Sequence, residues 1–529
     1  MSARPARRPG GRRRAARAAG AAALTVAAAA GSLAGAARTA AGTGSGFPAD
    51  AWPVYHHDAA GSGAAAPMRG VNTAARAWAS PSLDGQIYGE PLVSAGRVYV
   101  ATENDTMYAL SAATGAVAWS AHLGSPVPTG LLPCGNIRPV VGITGTPVID
   151  QARGEIFAVA EELVGGRPAH VLVGLSTATG RRELSQNVDP PGANPAAVLQ
   201  RTGLTLDAGR VVFGLGGNYG DCGAYRGRVV SAAETGGPAA YFTVDATAGD
   251  SHGAIWMGGA APVIDASGRI WVSAGNGSAS SSGQAYDNSD SVLELSASLR
   301  LLQFFAPASW AADNARDLDM STAPVLLPDG QVLAAGKAGI VYLLRQGHLG
   351  GIGGQRATLP SACSQPVDGG AAISGTTAYL PCTSGVIAVR AASSPAALAL
   401  RWRSGTGGGP PVLAAGRIWT IGPDGTLYGL DPATGAVRQR VSVGAGASHF
   451  PTPTAAGGLL LAASGQHVVA FAESGLSIGG LPSARPAAPG RGGSGRSTTG
   501  AIAGVIIAAA VAVTAAGIRL RRRRRPQQS

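Results

Sequence analysis

The segment Val98–Trp119, VYVATENDTMYALSAATGAVAW, constrains the fold more than any other part of the chain, because weaker copies of it recur about eight times. It reads as two strands around a Glu103-Asn104-Asp105 turn, then a Thr114-Gly115 turn and a strand closed by Trp119. Apolar residues alternate along it, so one unit cannot bury both of its faces and has to stack beside others.

A second signature marks the start of each unit: a Pro-Val-like entry, a short turn, then a strand ending near an aromatic. It begins at Pro91, Pro147, Pro262, Pro324 and Pro411, with degenerate versions near Leu204, Ala372 and Pro453. Thr-Gly turns return at Thr179-Gly180, Thr235-Gly236 and Thr434-Gly435. Eight units spaced roughly 40 to 60 residues apart predict an all-β, eight-bladed β-propeller with one four-stranded blade per unit. The last unit, Pro453–Phe471, lacks a full outer strand, whereas Ala75–Ala79 forms an orphan strand before the first unit. The N-terminal strand is therefore expected to complete the last blade and close the ring.

The two ends read as addresses. The net charge is +12, but seven arginines lie among the first 17 residues and six among the last eleven. Setting those thirteen aside leaves the body at −1, which argues against a nucleic-acid partner. Residues 1–41 read as a signal peptide, with an arginine-rich start, an apolar run over Ala18–Ala37 and small residues for cleavage. An uncleaved N-terminal anchor is the other reading. Residues 500–518 are uncharged and long enough to cross a bilayer as a helix, and the basic tail 519–529 orients that helix with its end in the cytoplasm. Residues 475–499, rich in Pro, Gly and Ser, form a stalk. The expected protein is anchored in the cell membrane by a single pass, with the propeller (52–474) outside the cytoplasm. Four cysteines suit an oxidising compartment and permit three pairings. Cys363 and Cys382 share one repeat and are expected to pair, which leaves Cys134 with Cys222.

The motif Ala-x-Asp-x-x-Thr-Gly-x-x-x-Trp, best preserved over Ala109–Trp119, resembles the pyrroloquinoline quinone (PQQ) repeat, over about Trp52–Ser474. Between Gly214 and Leu344 the chain further resembles the cofactor half of quinoprotein alcohol and polyvinyl-alcohol dehydrogenases. The resemblance implies PQQ and calcium as cofactors, with roles as follows. Trp256, in His252-Gly-Ala-Ile-Trp, is the aromatic floor beneath the quinone. Asn276, in Gly-Asn-Gly, and Asp221 are calcium ligands, with Asp221 standing where those enzymes generally carry glutamate. Asp287, in Tyr-Asp-Asn, is the general base; Asp290, Asp313, Asp317 and Asp319 are nearby competitors. Lys337, a lysine in an arginine-rich chain, contacts a quinone carbonyl and polarises it. A Cys134–Cys222 bridge would stand where those enzymes often place a disulfide over the quinone.

The leading expectation is a PQQ-binding-like propeller acting as a dehydrogenase of alcohols or hydroxylated polymers and passing electrons to a separate acceptor in or near the membrane. The second is a non-catalytic scaffold, resembling the assembly lipoprotein that shares this repeat, with protein or glycan partners at the cell surface.

Overall fold

The computed structural model describes residues 51–245, 249, 251–444 and 449–476. The expected leader, spanning segment and basic tail, and the stalk from 477 onward, lie outside the described residues. Among the described residues no helix is long and apolar enough to cross a membrane.

Eight sheets of four or five strands follow one another along the chain, antiparallel throughout except where Gly351–Ile352 adds a parallel edge to blade 4. Blade 1 runs through Leu92–Ser94, Arg97–Thr102, Thr106–Ser111 and Val117–His122. The first strands of blades 2 to 8 are Val148–Asp150, Thr205–Asp207, Val263–Ile264, Val325–Leu326, Ala372–Ser374, Val412–Ala414 and Thr454–Ala456. All eight starts, including the three degenerate ones, fall where the Pro-Val-like entries place them. Trp78–Ala79 pairs antiparallel with His467–Ala472, Trp78 opposite Ala470, and so supplies the fourth strand of blade 8. Joining the first strand to the last blade shuts the ring and leaves no unpaired blade edge at the seam.

The repeat owes its form to contacts between blades. Trp119, in the last strand of blade 1, packs on Gly180 of the blade 2 Thr-Gly turn and donates its indole N–H to the Thr177 carbonyl at 3.0 Å. Trp402 of blade 6 docks in the same way on Gly435 of blade 7, donating to Pro432 O at 2.9 Å. Trp78 of blade 8 docks on Gly115 of blade 1, donating to Ala112 O at 2.8 Å. A Cβ on Gly180 would lie 2.7 Å from the Trp119 ring, and its φ is +72°. Glycine is required there both for the left-handed backbone and for the close approach. Gln439 replaces the tryptophan in blade 7, and its amide donates to Val71 O at 2.8 Å, in the segment leading to the closing strand.

The N-terminal segment has a role that the repeat did not announce. Its carbonyls at Pro53, Ala59, Ser62 and Gly63 accept N–H groups from Ile149, Ile264, Ile373 and Leu413, on or at the ends of the innermost strands of blades 2, 4, 6 and 7. Trp52 exchanges both backbone bonds with Val93 of blade 1. The open edges of these inner strands are thus satisfied by one strap crossing the propeller axis. Tyr55 and His56 are buried within it, stacked 4.3 Å apart, and Glu90 holds the strap by accepting the His56 N–H at 2.8 Å. Both expected disulfides are present, Cys134–Cys222 and Cys363–Cys382.

Candidate functional site

The loops that connect or follow inner strands converge on a cavity of about 540 Å³ at the axis. Its size is that of a pocket for a drug-sized molecule. Trp256 reaches it from the link between blades 3 and 4, and Asn276 from just past Ile270–Ala274. Asp317 and Asp319 come from the link between blades 4 and 5, and Lys337 from just past Gln331–Ala335. Asp221 follows Arg210–Gly217, and Asp368, His449 and Phe450 complete the other side. Four residues singled out from sequence, Asp221, Trp256, Asn276 and Lys337, therefore line one cavity although they span blades 3 to 5.

Asp319 organises this end of the cavity. It is 3% exposed, and its carboxylate accepts the Trp256 indole N–H at 3.0 Å and the Asn276 backbone N–H at 2.7 Å. The Lys337 ammonium lies 2.8 Å from Asp319 and 2.6 Å from Asp317. Lys337 also sits 5.4 Å from the centroid of the Trp256 ring, within cation–π range. Burial alone would lower the lysine pKa, but Asp319 and Asp317 outweigh it and raise it, so Lys337 is a fixed cation. Desolvation pushes the Asp368 carboxyl up to about 6, against the Ser321 hydroxyl and the Lys337 charge, which favour its ionised form. Desolvation likewise raises Asp317 despite its bond to Lys337.

The expected general base, Asp287, is not among the cavity-lining residues. It is 2% exposed on the loop after Asn276, where one oxygen accepts the Ser289 N–H and hydroxyl and the other is buried without a partner. Its neighbours make it a loop brace. The carboxylate joined to both the Trp256 indole and Lys337 is Asp319, one of the competitors named from sequence. A Tyr-Asp-Asn string reports local similarity only; the turn Asn314–Asp319 brings the aspartate to the axis from the next blade connection.

The fit of the two expected cofactors differs. A planar ring system suits the cavity, since Trp256 offers an aromatic face and Phe450 lies with its ring centroid 5.7 Å from that of Trp256. Calcium needs six to eight oxygens. Asp221 accepts a hydrogen bond from the Tyr225 hydroxyl, and Asp317 and Asp319 are both paired with Lys337. Among the described residues no three or more His, Cys, Asp or Glu side chains are grouped to hold a metal ion. Asp221 and Asn276 by themselves offer fewer oxygens than calcium takes, so a bound ligand and water would have to supply the rest.

Sequence reasoning overlooked the other half of the cavity wall. Tyr88, Asn136, Ile137, Arg201 and Phe450 belong to connections without a repeat signature, and Leu199 to the short strand Val198–Leu199. The Cys134–Cys222 bridge lies beside them, and Cys222 follows Asp221 directly.

The family model for the outer membrane protein assembly factor BamB matches residues 70–271 and 383–478, more than half of the chain. The unmatched part between them carries Asn276, Asp319, Lys337 and Asp368. Among solved structures, the quinohemoprotein alcohol dehydrogenase of Comamonas testosteroni aligns with a TM-score of 0.60 at 15% identity, covering 81% of each chain. The quinohemoprotein alcohol dehydrogenase ADHIIG of Pseudomonas putida HK5 aligns at 0.61 and 13%, covering 83% of this chain and 82% of that one. BamB from Moraxella catarrhalis aligns at 0.51 and 14%, covering 76% of this chain and 99% of that one. No curated protein matches the chain in sequence. At these identities the likeness to solved structures is one of fold. The chain belongs to the BamB family of PQQ-repeat propellers, and shares its eight-bladed architecture with quinoprotein alcohol dehydrogenases.

Proposed function

We propose that the chain is a membrane-anchored, extracytoplasmic quinone-binding propeller that oxidises alcohols or hydroxylated polymers. The observation that carries this reading is the convergence of Trp256, Asp319 and Lys337 in one axial cavity, mutually bonded and drawn from separate blade connections. PQQ, when bound there, supplies the two-electron acceptor. Trp256 provides the surface on which a planar ring lies. Lys337, locked by two aspartates, places a permanent cation beside that ring, where it favours a more negative reduced form. Asp319 is the proton acceptor for a substrate hydroxyl: three donors fix its orientation, and a carboxylate offers about four lone-pair sites. The Trp256–Asp319–Lys337 contacts keep these groups aligned before any substrate arrives. No step is assigned to calcium. Electrons leave to a separate acceptor in or near the membrane, in which the expected spanning segment 500–518 anchors the chain. The near-neutral body offers no electrostatic footprint for nucleic acid.

Family membership favours a second reading, a non-catalytic scaffold with protein or glycan partners at the cell surface. The test is reconstitution of the purified full-length chain with PQQ, with and without calcium. Absorbance and calorimetry would follow binding, and dye-linked oxidation of a panel of alcohols would follow turnover. Quinone binding with alcohol-dependent dye reduction is expected. A chain that binds no quinone is a scaffold.

A further inference from the structure

A second chamber of about 240 Å³ adjoins the axial cavity, walled by the links that enter blades 6, 7 and 8 and by the turns after the second strands of blades 6 and 7. Asp368, His449 and Phe450 line both spaces. The remaining side chains of the chamber are mostly apolar, among them Ile421, Pro423 and Pro451. Only two of its lining residues titrate. Desolvation, followed by the Arg201 charge, lowers the His449 pKa, so that imidazole is neutral near pH 7. Arg201 Nη2 donates to the His449 carbonyl at 2.9 Å and fixes that residue in the wall. Asp368, with a pKa of about 6, is mostly ionised at neutral pH and is the chamber's one charge.

This carboxylate is positioned but not paired. Ser321 Oγ donates to one of its oxygens at 2.5 Å. Among the described residues it accepts no other hydrogen bond, and no basic nitrogen lies within 4 Å of it. Lys337, whose charge favours the ionised form, is held instead by Asp317 and Asp319 at 2.6 and 2.8 Å. The backbone on either side is fixed. The Gly369 N–H donates to the Ser321 carbonyl at 3.1 Å, and a Cβ on Gly258, in the turn after Trp256, would lie 2.4 Å from Gly369 N.

A held carboxylate with one oxygen open, in a chamber otherwise apolar and aromatic, suits a cation carried on an apolar body. The charge faces Asp368, the Phe450 ring attracts the same charge, and alkyl groups meet the other walls. A neutral occupant would leave the carboxylate desolvated without a partner.

We propose that this chamber is a recognition site for an alkylammonium group, paired with Asp368 and set against Phe450. The site stands without the quinone reading of the axial cavity. Its consequence rests on that reading: the substrates are amino alcohols, held by the ammonium in the chamber with the hydroxyl on the axial side.

Calorimetric titration of the full-length chain with tetramethylammonium, choline and 3,3-dimethylbutan-1-ol, the uncharged isostere of choline, tests the site without any quinone. Both cations are expected to bind, and choline at least about 10-fold more tightly than its isostere. Asp368→Asn should weaken choline roughly 10- to 100-fold and leave the isostere unchanged. Phe450→Leu should weaken both cations several-fold. The proposal is overturned if the isostere binds as tightly as choline, an arm that needs no variant. It is overturned equally if neither cation binds, or if a folded Asp368→Asn chain keeps choline within about twofold. The same pair of alcohols, offered with PQQ and dye, tests the consequence: choline should be oxidised in preference to its isostere. Choline binding by a chain that binds no quinone supports the chamber and refutes the quinone reading alone.

Discussion

Asp105 closes the first turn of the best-preserved repeat, and replacing it by asparagine should make the protein more stable at neutral pH. Its side chain is 0% exposed, and neither carboxyl oxygen has a hydrogen-bond partner. Desolvation, followed by repulsion from Glu162, Glu103, Glu161 and Asp84, pushes its pKa from 3.8 up to about 9. The folded chain therefore holds a proton that the unfolded chain releases above pH 4. This carboxyl's contribution to stability is complete below that pH and is lost progressively as the pH rises towards 9. Each pH unit in the window is worth about 1.4 kcal/mol, so by pH 7 wild type has lost roughly 4 kcal/mol at this site. Asparagine has no proton to take up, keeps the shape, and offers N–H donors to the surrounding acids. It also tolerates the φ of +53° that Asp105 adopts. Spread over a domain of this size, at about 2 cal/mol/K per residue, a gain of 2–4 kcal/mol raises Tm by roughly 2–5 °C. Thermal unfolding of wild type and Asp105→Asn at pH 5, 7 and 8.5 should show a gap that widens with pH. A gap independent of pH, or a variant less stable than wild type at pH 8.5, would refute the reasoning.

Asp319→Asn should retain quinone binding and abolish dye-linked alcohol oxidation, since the amide keeps an acceptor for the Trp256 indole but cannot take a proton; turnover near wild type would return the base to another carboxylate. Gly435→Ala should cost about 1–3 kcal/mol in urea unfolding, because the φ is +72° and the new methyl would lie 2.5 Å from the Trp402 ring. An unchanged midpoint would mean that the tryptophan dock is not what joins blades 6 and 7. Replacing Cys134 and Cys222 together by serine opens a link across 88 residues and should lower stability by about 2–4 kcal/mol. It should also weaken quinone binding, since Cys222 adjoins Asp221; calorimetry on the folded variant separates the two effects.

The architecture was legible because each blade repeats the same local solution. The Thr-Gly turns and strand-end tryptophans of Ala109–Trp119 and its copies serve one interblade contact, so the sequence displays them once per blade. Ala75–Ala79 could be matched to the incomplete last unit because a propeller has to close. The axial strap 52–63 was not legible: it uses backbone carbonyls at Pro53, Ala59, Ser62 and Gly63, and carbonyls carry no side-chain signature. In the site, Trp256, Asn276 and Lys337 stood in recognisable short strings next to inner strands. Asp319 and Arg201 did not, since their roles come from what faces them across the axis.

By itself, then, the sequence determined the number of blades, their starts and the closure of the ring, all of which follow from periodicity and from contacts between neighbouring repeats. Only the tertiary structure decided which carboxylate meets Lys337, that Asp287 turns away into its own loop, and that Arg201 shares the cavity. Those facts depend on bringing separate blade connections to one axis, and distances across an axis are not encoded in the spacing of residues along a chain.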